Sequence, residues 1–278
     1  MHGVNLAVQA GKLVMMSEFS SVSCGGYPTV SDTFGAALWS VDYAMQMSVV
    51  GYHFTHLHTR ERSISYNLFD YPGDGVDGWT TNPVYYSYFP VLQALQSPNG
   101  SRVVDLGLSS SSAAGYGIYD KETSELYRLI LINYQDGNGP VDFAIPATGI
   151  PHVGGGKNAV VKFLTAPSLR EKSDISWSGK TWKGVVDGNP VASGRDPDLI
   201  QVDVSESYTL KIPSPGLAVV MFGCNTEPSN KLLARSNYNG NTPSAGGSGN
   251  DDRGSALAVG VSIIGALGAV LFGAFCLN

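Results

Sequence analysis

Charge is scarce in this chain: Asp, Glu, Lys and Arg make up 14% of its 278 residues, and the net charge is -6. With 17 basic side chains against 23 acidic ones, there is no cationic face to neutralise a phosphate backbone, so nucleic acid is excluded as a partner. Cysteine is rarer still. Cys24, Cys224 and Cys276 form no Cys-x-x-Cys spacing, and the clustered His53, His56 and His58 lack an obvious further ligand, so no metal and no cofactor is expected. In an oxidising compartment Cys24 and Cys224 can pair with each other or with cysteines outside this sequence. Internal repeats are missing too. Met1-His2-Gly3 does not lead from a charged start into a long apolar stretch, so no secretory signal is visible and the true start is expected upstream.

Against these absences stands one well-placed carboxylate. The short apolar run Lys12-Leu13-Val14-Met15-Met16-Ser17 ends in Glu18, and small residues follow at once, Ser20-Ser21-Val22-Ser23-Cys24-Gly25-Gly26. A strand that buries its four hydrophobes and presents a carboxylate at its C-terminal lip is how a (β/α)8 barrel builds a catalytic site. Ser31 and Asp32 can cap a helix in which Phe34, Leu38, Val41 and Met45 form one apolar stripe. Tyr52 to His58 then reads as a second strand, with His56 and His58 on one face and His53 on the other. Strand, helix, strand implies parallel pairing, which puts Glu18 and the His56-Leu57-His58 lip on the same side.

These residues resemble a known family. Ser17-Glu18-Phe19-Ser20-Ser21-Val22-Ser23-Cys24-Gly25-Gly26, then Val30-Ser31-Asp32-Thr33-Phe34-Gly35-Ala36-Ala37-Leu38-Trp39 and Asp42-Tyr43, are similar to the last barrel strands of family 79 glycoside hydrolases, the β-glucuronidase and heparanase-like enzymes, in their fungal form. Tyr116-Gly117-Ile118-Tyr119 and Leu129-Ile130-Leu131-Ile132-Asn133 look like that family's C-terminal β domain. The resemblance runs from about Gly11 to Phe222 and implies a retaining mechanism with Glu18 as nucleophile. Such a mechanism needs a second carboxylic acid about 5–5.5 Å away. In the family that acid sits on an earlier barrel strand, so it is expected outside this sequence; Glu61, Asp70 and Asp74 read as rim charges. The resemblance further implies that backbone amides at Gly25 and Gly26 and nearby tyrosines hold the uronate carboxylate. Ser23 stands where bacterial members carry a tyrosine, a departure that weakens strict glucuronate preference. Tyr27, Tyr66 and Tyr71 can supply a phenol instead, His56 and His58 can meet sugar hydroxyls or the nucleophile, and Trp39 reads as core.

The remaining chain divides into four expected parts. Residues 1–97 read as the last strands and helices of an incomplete TIM barrel, with Thr81 to Leu95 as its final helix. Residues 98–224 read as an antiparallel β-sandwich, with strands at Arg102–Leu108, Tyr116–Tyr119, Tyr127–Tyr134, Val141–Ile145, Ala159–Leu164, Leu199–Val204, Tyr208–Ile212 and Leu217–Phe222. Trp177 and Trp182 are core residues or, in a sharper reading, sugar-stacking platforms. Asn99-Gly100-Ser101 is an N-glycosylation sequon. Residues 225–255 form a Gly/Ser/Asn-rich linker, and 256–278 an uncharged tail that is a glycosylphosphatidylinositol signal or a retained membrane anchor. The fold class is thus α/β plus all-β. The expected protein is an extracellular, membrane-attached hydrolase of β-linked glucuronic acid or related uronosides in glycans, inactive and poorly soluble as this fragment; the alternative is a noncatalytic carbohydrate-binding or structural wall protein.

Overall fold

The computed structural model describes residues 2–223 except 74, 76–77, 98, 138, 146–157, 185–187, 195–198 and 205–206. The linker, the apolar tail, Asp74, Cys224 and Cys276 lie outside the described residues; Cys24 is an exposed free thiol. In chain order the first half holds α1 (His2–Gln9), β1 (Met15–Phe19), α2 (Phe34–Val49), β2 (Phe54–Leu57), β3 (Phe69–Asp70), β4 (Thr80–Thr81), a 3-10 turn Pro83–Ser87 and α3 (Tyr88–Leu95). The second half is β5 (Ser101–Asp105), β6 (Ala113–Asp120), β7 (Leu126–Asn133), β8 (Val141–Ile145), β9 (Asn158–Thr165), β10 (Ser176–Trp177), β11 (Lys180–Thr181), β12 (Val191–Ala192), β13 (Leu199–Asp203), β14 (Tyr208–Ile212) and β15 (Gly216–Phe222).

The central strand explains the layering. β15 lies between β7 and β9 in the order β12-β11-β10-β9-β15-β7-β6-β5, with β13 also paired to β9. Strand side chains alternate, so Leu217, Val219 and Met221 face one side while Ala218, Val220 and Phe222 face the other. Both sets are buried in separate clusters. Over the second face lies the antiparallel ribbon β8–β14, which buries Phe143, Ile145, Leu210 and Ile212 and turns the Lys211–Asp142 ion pair outward. Over the first face lie α2 and α3. Every one of Phe34, Leu38, Val41 and Met45, the expected stripe of α2, is fully buried there. The largest core is therefore shared by residues on both sides of position 98.

Hydrogen bonds join the same two parts. The amides of Phe34 and Gly35, which a helix leaves unpaired at its N-terminus, donate to the carbonyls of Glu171 and Leu169 at 2.7 and 2.8 Å. The cap itself is Thr33, whose Oγ1 accepts from the Ala36 amide at 3.4 Å. This corrects the expected cap at Ser31 or Asp32: Asp32 instead accepts from the Thr29 amide and pairs with Lys172 at 2.6 Å. Farther along α2, Asp42 accepts from the hydroxyls of Tyr116 and Tyr134, on β6 and just past β7. Burial first, then that carboxylate, pushes both phenols well above their ordinary range.

Trp177 and Trp182 belong to this interface, which bears out their reading as core residues against the alternative of sugar platforms. Each is only 7% exposed. Phe89 on α3 stacks on Trp182 at 4.1 Å between centroids and lies parallel to Trp177 at 6.4 Å.

β1 and β2 pair in parallel around α2, as expected, but Leu13 and Met15 are 56% and 52% exposed. The expected burial of all four hydrophobes before Glu18 is not met. Among the described strands β1 pairs with β2 alone, which leaves one edge of each strand unpaired. No helix among the described residues is long and apolar enough to cross a membrane.

At the far end of α3, Asp120 is almost fully buried and gathers the sequon loop. It accepts from Ser97 Oγ at 2.9 Å, Asn99 Nδ2 at 3.1 Å, and the Glu122 and Thr123 amides at 2.9 Å. Burial alone would raise its pKa, but the Thr123, Ser97, Asn99 and Glu122 bonds outweigh it and hold the carboxyl below its ordinary value. A depressed folded-state pKa stabilises above the unfolded value and loses that contribution as pH falls. Asp120→Asn is expected to lower stability by roughly 1–2 kcal/mol at neutral pH, with the gap to the parent closing below about pH 4. Urea denaturation across pH 3–7 checks this; a gap independent of pH contradicts it.

Candidate active site

The carboxylate of Glu18 is positioned by an irregularity in its strand. Met16 pairs with Thr55 and Phe19 with Leu57, so Ser17 and Glu18 together face the single residue His56. One extra residue bends a strand and re-aims its side chains. Phe19 drives inward, stacking on Tyr43 at 4.8 Å and meeting Trp39 at 6.1 Å, while Glu18 stays at the lip with a side chain 66% exposed. Trp39 is accordingly a packing residue.

His58, the first residue past β2, completes the pair. Its amide donates to the Phe19 carbonyl at 2.9 Å, and its Nδ1 lies 2.8 Å from Glu18 Oε1. Nδ1–H donates to the carboxylate, which fixes the ring plane and leaves Glu18 Oε2 uncommitted. Nε2 is shut away from solvent and has no hydrogen-bond partner. The edge of the Tyr66 ring packs against this imidazole at 5.5 Å. Gly26 lies on the same phenol: a Cβ there would come within 3.0 Å of Tyr66 Cδ1 and 2.9 Å of Ser31, and φ is +80°. Only glycine fits that approach. Gly25 accepts from the Ser65 amide at 3.0 Å.

Glu18, His58, Tyr66, Gly25 and Gly26 are thus brought together. Others named from sequence are not: Tyr27 and Tyr71 are 62% and 51% exposed, Ser23 is exposed, and among the described residues no hydrogen bond links any of the three to Glu18. His56 lies across the bulge with no side-chain hydrogen bond among the described residues, and His53 Nδ1 accepts from the Val14 amide at 3.3 Å, away from the lip. Asp70 and Glu61 take partners other than Glu18. Asp70 accepts from the Ser63 amide, Asn67 and Asn82, and Glu61 pairs with Arg60 at 3.0 Å. No group of three or more His, Cys, Asp or Glu converges as metal ligands among the described residues.

Two supporting residues escape a reading of the sequence. Asn67 is fully buried; its Oδ1 accepts from the Arg60 amide at 2.9 Å and Thr59 Oγ1 at 3.2 Å, and its Nδ2 donates to the Glu61 carbonyl at 2.7 Å. It holds the loop between His58 and Tyr66. Ser31, also fully buried, accepts from the Tyr27 amide at 2.9 Å and from Ser21 Oγ at 2.8 Å, closing the loop after Glu18. A polar residue beside Tyr66 and a serine ahead of a helix were their only signals.

Residues 115–219, from β6 to β15, match the glycosyl hydrolase family 79 C-terminal β domain. That stretch of the chain is similar to a family 79 β domain. Over 196 residues it is 31% identical to a β-glucuronidase of Aspergillus niger, covering 64% of this chain and 35% of that protein. Over 229 residues it is 29% identical to a β-glucuronidase of Neurospora crassa, covering 69% and 40%. In fold, it is similar to a 4-O-α-L-rhamnosyl-β-D-glucuronidase from Fusarium oxysporum, with a TM-score of 0.61 at 20% identity over 78% of this chain and 45% of that one. The chain therefore spans 35% and 40% of the two curated relatives' lengths. The matched residues take in most of the large sheet but not β5, and Glu18 and His58 lie ahead of them.

Proposed function

We infer that this chain is the C-terminal part of a retaining glycoside hydrolase acting on β-linked glucuronic acid or a related uronoside, with Glu18 as nucleophile. The observation that carries the reading is the Glu18–His58 pair at the shared lip of two parallel strands. Glu18 Oε2 attacks the anomeric carbon as the C1–O bond breaks, and a carboxylic acid supplied from ahead of residue 1 protonates the leaving oxygen. The same acid, now ionised, takes a proton from water, which attacks C1 and releases Glu18 with net retention. His58 orients the nucleophile through its Nδ1–Glu18 Oε1 contact at 2.8 Å. Tyr66 and the Gly25-Gly26 turn form the wall suited to the uronate carboxylate. The relatives' names support a glucuronide as substrate.

Because the proton donor lies elsewhere, this chain alone is expected to hydrolyse nothing. The uncharged stretch 256–278 fits an extracellular protein held at a membrane by a lipid signal or a retained anchor. The test is covalent trapping. The complete gene product is treated with an activated 2-deoxy-2-fluoro-β-D-glucuronide and digested, and the adduct is located by mass spectrometry. A label on Glu18 supports the reading, and a label on any other carboxylate overturns it.

A further inference from the structure

Past His58 the chain builds a second feature that the Glu18 site leaves unused. β3 and β4 form a two-stranded ribbon in which Phe69 pairs with Thr81 and Asp70 with Thr80. One step farther out in the same register sets Tyr71 opposite Trp79. Both are 51% exposed. Strand alternation puts Phe69, Tyr71, Trp79 and Thr81 on one face. That face is rooted at its inner end, where Phe69 packs on Tyr85 at 5.0 Å. The opposite face is fixed by Asp70, which accepts from Ser63, Asn67 and Asn82. Asn67 is also the residue that holds the loop between His58 and Tyr66. The outer aromatics are therefore carried on a rigid base tied to the lip itself.

We propose that Tyr71 and Trp79 form a stacking platform for sugar rings on the leaving-group side of a glycan substrate. The proposal rests on the glycosidase reading above and adds to it an extended substrate. Among the described residues neither ring stacks on another aromatic residue nor makes a hydrogen bond, and each is half exposed, which leaves π surface open to a ligand. Those faces are electron-rich and attract the weakly positive C–H groups of a pyranose. Size argues against a protein partner: two half-exposed rings offer on the order of 200 Å², whereas a stable protein interface needs about 800 Å² from each partner. Reach is adequate. Tyr71 is five residues beyond Tyr66, at most about 18 Å along the chain, and Tyr66 touches His58. A terminal uronate at Glu18 would leave the rest of a glycan only a few rings from the platform.

The test compares the complete gene product with its Tyr71→Ala/Trp79→Ala double variant on two substrates. One is an aryl β-glucuronide too short to reach the ribbon, the other an oligosaccharide of four or more sugars ending in β-linked glucuronate. Expected is a fall of about tenfold in kcat/KM, through KM, on the oligosaccharide, with the aryl substrate unchanged within twofold. An equal loss on both substrates, or a loss on neither, overturns the platform. Turnover of neither substrate by the parent protein is instead a failure of the glycosidase reading. Calorimetric titration of the oligosaccharide then decides the platform by itself: binding that the double variant loses supports it, and equal or undetectable binding by both proteins overturns it.

Discussion

On the proposed retaining mechanism, Glu18→Gln in the complete gene product is expected to reduce turnover of a β-glucuronide by on the order of 10³-fold or more. The amide keeps the shape of the carboxylate, and its oxygen can still accept from His58 Nδ1–H, so the lip is not disturbed. What disappears is the charged oxygen that bonds to C1. Substrate affinity should accordingly survive the change while kcat collapses. Glu18→Ala goes further and opens space at the lip, where azide can attack in place of the missing carboxylate. Partial rescue by azide, with a glycosyl azide of inverted configuration, is the signature of a lost nucleophile in a retaining enzyme. His58→Ala is expected to cost less, because it frees the carboxylate to swing without removing it. Wild-type turnover by Glu18→Gln would remove the basis for assigning Glu18.

Trp182→Ala is expected to destabilise the fold by about 3–5 kcal/mol. The indole is buried between the helices and the sheet, stacked on Phe89 at 4.1 Å with the edges of Tyr86 and Tyr85 at 5.8 and 6.2 Å. Its Nε1 donates to the Gly188 carbonyl at 3.1 Å, and its amide donates to Tyr86 Oη at 2.8 Å. Truncation leaves a cavity at the seam between the two parts, and nothing there can collapse to fill it cheaply. Trp182→Phe keeps the stack and loses the Nε1 bond, and should cost about 1 kcal/mol. Denaturant titration separates the two variants. A sugar platform would behave in the opposite way, with carbohydrate affinity falling and stability intact.

The strands most easily read from the sequence are those whose side chains are buried on both faces. β15 and the Leu129–Ile132 stretch of β7 are continuous apolar runs for that reason, and α2 announces itself because only one of its faces meets the sheet. The short strands β10, β11 and β12 offer no alternation to read, since each is two residues long. α1 was hidden for a related reason: Val4 is its one buried residue, too little to mark a stripe. At the candidate site, Glu18 and His58 could be named from strand ends. The bulge that turns Glu18 toward His58 could not, because it arises from pairing between two strands rather than from either alone. Asn67 and Ser31 were equally hidden, as polar residues whose burial depends on loops far apart in sequence. For the tryptophans the sequence left two readings open, and burial selects the core one: an aromatic beside short strands looks the same whether it faces solvent or a helix that folds over it.

The carbonyls of Leu169 and Glu171 close the N-terminus of α2, the helix linking the strand of Glu18 to that of His58. A helix completed by carbonyls from a later part of the chain cannot be inherited without that part. Recombination between related genes at the seam would pair a helix with a loop shaped for a different one, exposing two amides and shifting the strands on either side. The sheet, with no chemistry of its own, would therefore be retained through descent as a condition of the lip's geometry.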